Sequence, residues 1–368
     1  CAVCPFMIYG EITQKLSLWL WPRQLGAWPR QWAERWGGWI LYAGFALILI
    51  WEELWSLENT AYLSAWLLLI ITAGAMICSA LFERRFWCRY LCPIGGMNGL
   101  FSKLSMTELR GQTGICSATC STYQCYKGGP AKGEGQETEG CPIYSHPAQL
   151  VDNRNCVLCM TCLKACPHRS VEFNLRPPGI ELWTTHTPVD HEVALLLLLW
   201  GAVFVHRLPE IATLLGVSEM VDGFGGHAIA TLILLFLPWP LVWVAHKLTQ
   251  LIKPRLKARP FAQIAYGWLP IVLFSSLAHF LSLALTEAGR IIPVSLASFG
   301  LASTGPVLVA HPAVIAFLQG VSLIVGALLS LLLTQRIAQQ PWIKLAPIHG
   351  LTLGETAVLY RLIVYASR

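Results

Sequence analysis

Residues 156–167 read CVLCMTCLKACP. The spacing C-x2-C-x2-C-x3-C-P lets one tight loop wrap three corners of a [4Fe–4S] cube, and in two-cluster ferredoxin runs the fourth, proline-linked cysteine serves the other cluster. Cys166 therefore needs a second cluster with three thiols close together. Cys116, Cys120 and Cys125, in the stretch CSATCSTYQC, supply them. The cluster on Cys156, Cys159 and Cys162 then lacks a fourth ligand. Cys141, followed by Pro142 as Cys166 is followed by Pro167, is its natural donor. The expected ligand sets are Cys116, Cys120, Cys125 and Cys166 for one cluster, and Cys141, Cys156, Cys159 and Cys162 for the other. Two tetrathiolate zinc sites are the competing reading; the proline-linked fourth cysteine speaks against it.

Two further pairs end in Cys-Pro. Residues 87–96 read WCRYLCPIGG, with Cys88 and Cys92, and the chain opens CAVCPF, with Cys1 and Cys4. Each pair lies beside an expected membrane entry, where a reduced thiol packed at the interface is the plain alternative. Cys78 falls inside an apolar stretch and reads as a small buried residue. His206, His227, His279 and His311 stand in or beside apolar stretches. An ionisable residue in a span is a functional candidate by default. Two such histidines on facing helices could ligate a b-type haem, and a quinone or copper site is equally compatible. Histidines capping helix ends or bonding a neighbouring carbonyl are the competing explanation.

Membrane helices must position these residues. Only 12% of the 368 residues are charged, against about 25% in an ordinary soluble domain, and the mean hydropathy is +0.54. Sixteen tryptophans suit aromatic belts at a membrane surface. Six stretches approach the roughly 20 residues a span requires: 37–57, 63–82, 193–208, 227–245, 262–285 and 312–333. Residues 12–21 are too short to span and suit the interface. The expected fold is a multi-pass α-helical membrane protein of about six transmembrane helices with an inserted α+β ferredoxin-like two-cluster domain. Residues 1–83 carry the first Cys-Pro motif and two spans, 84–190 the second Cys-Pro motif and the clusters, and 191–368 a four-helix membrane domain. Bases concentrate in 246–261 and 83–112, and acids in 52–62 and 209–226. The positive-inside rule then places the insert in the cytoplasm. The net charge of +6 is spread between apolar runs, which excludes a nucleic-acid footprint. No nucleotide loop or nucleophile–base pair stands out. The chain begins at Cys1 without an initiator Met or signal peptide, and Cys4-Pro5 so close to the start suggests a motif cut in half, hence a fragment.

Over about residues 1–180 the chain resembles the membrane-bound polyferredoxins of the NosR/NapH type, which serve nitrous oxide and periplasmic nitrate reduction; copper-reducing oxidase-assembly polyferredoxins are relatives. The resemblance rests on Cys88-x3-Cys92-Pro93, the pair Cys1/Cys4-Pro5 and the eight insert cysteines. It implies a bacterial inner-membrane electron-transfer component, rather than a stand-alone catalyst, with two [4Fe–4S] clusters on the cytoplasmic side. Electrons would pass between a cytoplasmic or quinol donor and a membrane or outer-face acceptor. The implied partners are the lipid bilayer and a redox protein or quinone. The resemblance also implies redox or metal work for Cys88, Cys92, Cys1 and Cys4, although the first pair here is spaced x2 rather than x3. A copper reductase or metalloenzyme maturation factor is the alternative, since soft thiolates select Cu(I). A transporter or scaffold with structural zinc is the third reading.

Overall fold

The computed structural model describes residues 2–129, 136–252, 259–300, 307 and 309–365. Cys1 lies outside the described residues. The chain divides into two compact units, Cys1–Leu195 and Leu196–Arg368.

In the first unit, helix α1 (Pro5–Leu20) opens with proline at its first position, where the missing N–H costs nothing. It is followed by α2 (Arg30–Trp55) and α3 (Ala61–Leu81). The interfacial stretch expected at 12–21 is thus the second half of a longer helix. Polar side chains tie it to the end of α3: the Gln14 amide donates to the Ser79 carbonyl at 2.9 Å, and Arg23 donates to the Ala80 carbonyl at 2.8 Å. Two short helices, α4 (Phe86–Tyr90) and α5 (Pro93–Phe101), carry the Cys-Pro pair away from α3. Trp28, Ala33, Cys78, Phe86 and Tyr90 form the core beneath them, so Cys78 packs as a small apolar residue. Glycine is required at two contacts here. A Cβ on Gly74 of α3 would lie 2.4 Å from the Trp87 ring, and one on Gly95 of α5 would lie 2.6 Å from the Cys88 carbonyl oxygen.

The cysteine-rich segment is built around two antiparallel strands, β1 (Thr107–Gly111) and β2 (Val171–Leu175), with Leu109 opposite Phe173. Between them lie α6 (Thr113–Ala118), α7 (Gln124–Lys127) and α8 (Thr161–Ala165). None exceeds six residues, too short to be stable alone. Contacts with the cysteine loops must hold them. α9 (Glu181–Thr184) and the start of α10 (Asp190–Val205) close the unit.

Among the described residues five helices are long and apolar enough to cross a membrane: Arg30–Trp55, Ala61–Leu81, Phe224–Leu251, Phe261–Ser298 and Pro312–Ala338. Their exposed faces carry Leu68, Leu69, Ile70, Ile233, Phe280 and Leu328, the apolar surface that lipid would cover. A sixth crossing exists only if Asp190–Val205 and Leu208–Leu215, bent by 64°, count as one span. The break falls at His206 and Arg207, just ahead of Pro209, whose ring cannot continue the preceding helix.

In the second unit, the apolar core gathers Val203, Ala278, Ala316, Leu323, Leu359 and Ile363. A helix the sequence reading did not anticipate, Trp342–Tyr360, buries Lys344, His349 and Glu355.

Candidate metal centre

The loops around the insert cysteines depart from ordinary backbone. Tyr123, Tyr144, Leu158, Met160 and Arg169 all have positive φ, between 49° and 61°. Such conformations are unfavourable for residues with a Cβ and cluster at functional sites. Each lies within three residues of an insert cysteine, two of them inside the run Cys156–Cys162.

Cys116 and Cys166 meet on one hydroxyl: Ser170 Oγ lies 3.3 Å from the Cys116 sulfur and 3.4 Å from the Cys166 sulfur. Cys125 and Cys166 are buried together with Leu109 and Val171. Burial pushes the Cys125 thiol up to about 12, and the neighbouring Cys166, Cys120 and Cys116 act in the same direction. Those four are the first expected set. Burial likewise pushes Cys162 up to about 12, with Cys156, Cys159, Cys141 and then Cys125 adding to it. Cys141, Cys156, Cys159 and Cys162 also line one small pocket. Cys156 and Cys162 also pack against the cluster formed by Leu109, Cys125, Cys166 and Val171, so the two expected sets adjoin.

Cys166 behaves differently. Burial alone would raise its pKa, but hydrogen bonds from the Ser170 hydroxyl and from backbone N–H groups bring it below the ordinary thiol value. The local cause is Pro167. The residue before proline is forced into extended backbone, so Cys166 leaves α8 at φ −76°, ψ 112°. Its sulfur then accepts the Ser170 N–H at 3.4 Å. Cys141-Pro142 repeats the device, its sulfur accepting the Ser145 N–H at 3.3 Å.

Several residues that hold the site have no motif. Arg84 donates to the Tyr126 carbonyl at 2.7 Å and the Cys141 carbonyl at 2.5 Å. Arg89 donates to the Ile143 and Tyr144 carbonyls at 2.6 and 3.0 Å. From sequence these arginines registered only as loop charge. His146 Nδ1 accepts the Ala148 N–H at 3.3 Å, leaving Nε2 to donate to the Cys125 sulfur at 3.8 Å. An open groove of about 550 Å³ runs past Cys116 and His146, with Arg30 and Lys127 on its walls.

The donor set is all thiol, which suits an iron–sulfur cube and a zinc ion alike. A tetrahedral zinc with metal–sulfur bonds of about 2.3 Å draws its sulfurs to within roughly 4 Å of each other. Among the described residues no three His, Cys, Asp or Glu side chains converge to hold a single metal ion.

Of the four histidines, the structure brings His206 and His279 together, their rings stacked at 4.9 Å and 13°. Axial ligation would require iron between the rings, and these rings are in contact. His311 caps its helix, Nδ1 accepting the Ala313 N–H at 3.2 Å. His227 sits in the first turn of its helix. Among the described residues these four histidines give no support for a haem, quinone or copper site.

A family described as "4Fe-4S binding domain" matches residues 64–109. That stretch contains Cys78, Cys88 and Cys92 and ends before Cys116. The chain is 31% identical over 113 residues to YccM of Escherichia coli (strain K12), whose name assigns it, provisionally, to electron transport; the match covers 30% of this chain and 28% of that protein. It is 22% identical over 89 residues to an uncharacterised protein of Methanocaldococcus jannaschii, covering 24% of this chain and 30% of the relative. The chain thus spans less than a third of the length of either relative. No solved structure matches it. The family match and the long apolar helices together identify a membrane protein with an iron–sulfur domain.

Proposed function

We propose that the chain is a membrane-bound iron–sulfur electron-transfer protein of the NosR/NapH polyferredoxin type. In this reading Cys116, Cys120, Cys125 and Cys166 hold one [4Fe–4S] cluster, and Cys141, Cys156, Cys159 and Cys162 hold the other, both on the cytoplasmic side. Electrons pass between a cytoplasmic or quinol donor and a membrane or outer-face acceptor. One observation supports the reading above the rest: Ser170 pairs the sulfurs of Cys116 and Cys166, while Cys141, Cys156, Cys159 and Cys162 line one small pocket. That is the division a proline-linked fourth cysteine demands. The electron-transport name carried by YccM points the same way.

Bound clusters supply one-electron transfer with no bond made or broken. The chain's own residues set the conditions. Backbone N–H groups of Ser145 and Ser170 stabilise sulfur as thiolate. Leu109 and Val171 keep water from the sulfurs of Cys125 and Cys166. Arg84 and Arg89 fix the loop that presents Cys141.

The reading is tested on protein purified without air. At least eight irons and eight labile sulfides per chain are expected from the insert, with interacting [4Fe–4S] signals in the EPR spectrum after dithionite. Zinc in place of iron would overturn it. A Ser170→Ala variant should keep its iron. Hydrogen bonds to cluster sulfurs help set the potential, and losing one leaves the reduced, more negative state less stabilised. A redox titration followed by EPR should therefore show one midpoint moved to a more negative value. An unmoved midpoint would mean that this hydroxyl does not tune the cluster.

A further inference from the structure

We propose that Cys4, Cys88 and Cys92 hold a third iron–sulfur centre, distinct from the two in the insert. The inference rests on the electron-transfer reading above and extends it to a different part of the fold.

Four observations carry it. Cys4 precedes α1, Cys88 lies on α4 and Cys92 precedes α5, yet all three line one cavity of about 180 Å³. Phe6, Met7, Ile71, Trp87 and Ile94 make most of the remaining wall, with Asn98 its polar member, a mainly apolar lining that would limit water around a cluster and so influence its potential. Second, the backbone at these cysteines copies that of Cys166. Cys4, Cys92 and Cys166 each precede proline and adopt φ/ψ of −97°/122°, −78°/112° and −76°/112°. Cys92 also accepts a backbone N–H, from Gly95 at 3.4 Å, as Cys141 and Cys166 accept theirs from Ser145 and Ser170. Third, the cavity that the three cysteines line, about 180 Å³, has room for a polynuclear centre. Fourth, the 4Fe-4S family match includes Cys88 and Cys92 but none of the insert cysteines. Cys78, also within the match, packs in the apolar core; the other two are too few for a cube, and α1, packed on α3, brings a third.

The centre also has a place in the path. Cys88 lines a second cavity, of about 190 Å³, whose wall includes Cys156. This puts the third site next to the insert set that contains Cys156. One electron leaves one centre as it enters the other, and neither bonds nor protons change.

The test is iron and labile sulfide per chain, on the full chain purified without air, for the wild type, Cys88→Ala/Cys92→Ala and Cys4→Ala. Cys78→Ala serves as the control. About twelve irons are expected in the wild type. About eight are expected in Cys88→Ala/Cys92→Ala, with the insert's EPR signals retained and Cys78→Ala unchanged. Cys4→Ala should lose the same centre. A wild-type count of about eight, unaltered in the variants, would overturn the third centre and leave the insert reading standing. One copper or zinc per chain, lost in Cys88→Ala/Cys92→Ala, would overturn the cluster in favour of a single ion. Absence of iron altogether would overturn both readings. The wild-type count separates twelve from eight even if a variant fails to fold.

Discussion

A Cys166→Ala variant is expected to lose about four irons, and the cluster lost is the one on Cys116, Cys120 and Cys125. Sequence proximity argues the opposite, because Cys166 stands four residues after Cys162. On a continuing helix, residues four apart share a face. Pro167 prevents that. It turns Cys166 into extended backbone at the end of α8 and directs its sulfur to Ser170, where Cys116 waits. Removing Cys166 therefore strips the first set of one of its four thiols and leaves the second set intact. Double variants make the assignment readable. Cys166→Ala/Cys116→Ala should lose no more iron than Cys166→Ala alone, since both changes strike one cluster. Cys166→Ala/Cys162→Ala should lose about eight irons, since two clusters fall. The EPR signature of magnetic interaction between the insert clusters should disappear in Cys166→Ala. Equal iron in Cys166→Ala/Cys162→Ala and Cys162→Ala would show that the ligand sets follow the motif as written, and the cross-ligation would be wrong.

What could be read from the sequence is what depends on local spacing. The run Cys156–Cys166 announces its chemistry because its ligands lie within one loop. Five of the six apolar stretches announce themselves because a lipid-facing helix is apolar along its length. The third stretch ended at its true break, but the bend behind it depends on Pro209 and could not be sized from composition. Residues 342–360 escaped notice because Lys344, His349 and Glu355 dilute their hydropathy, yet the structure buries all three. Cys4 and Cys88 could each be seen as part of a Cys-Pro pair. That they face one cavity follows only from α1 packing on α3, a contact between segments with no shared motif. Arg84 and Arg89 were visible as charges, and charge alone does not say that a guanidinium will seek the carbonyls around Cys141. The same holds for Ser170 and His146, whose roles exist only once distant cysteines are brought beside them.

Lys103→Met is expected to destabilise the first unit by about 3–5 kcal/mol, the range for removing one partner of a buried ion pair. Lys103 follows α5 and its side chain is fully buried. Its ammonium lies 2.5 Å from Asp152 and 3.1 Å from Glu192. Asp152 belongs to the loop leading into Cys156, and Glu192 lies in the first turn of α10, so one cation joins three segments that share no other motif. Without it, two carboxylates stay buried near each other, with Arg154 still paired to Glu192 and His186 beside Asp152. Methionine fills a similar volume, so the loss measures charge rather than a cavity. Thermal unfolding in detergent should fall by on the order of 10 °C, and Lys103→Met/Asp152→Asn should recover part of it. The pH dependence gives an independent reading. Burial alone would raise the Asp152 pKa, but hydrogen bonds from His186 and Lys103, together with the Lys103 charge, hold it well below the usual carboxylate range. A depressed folded-state pKa contributes stability that is full above the unfolded carboxylate pKa of about 4 and is lost as pH falls below it. In Lys103→Met the part of the depression due to Lys103 is lost, while the His186 hydrogen bond remains. The stability gap between wild type and variant should therefore hold from pH 7 to about 4 and narrow as pH falls below about 4. A constant gap would mean that Lys103 contributes through packing alone. In the cluster region, the loosened approach to Cys156 should make the iron associated with that set leave faster in air than in the wild type.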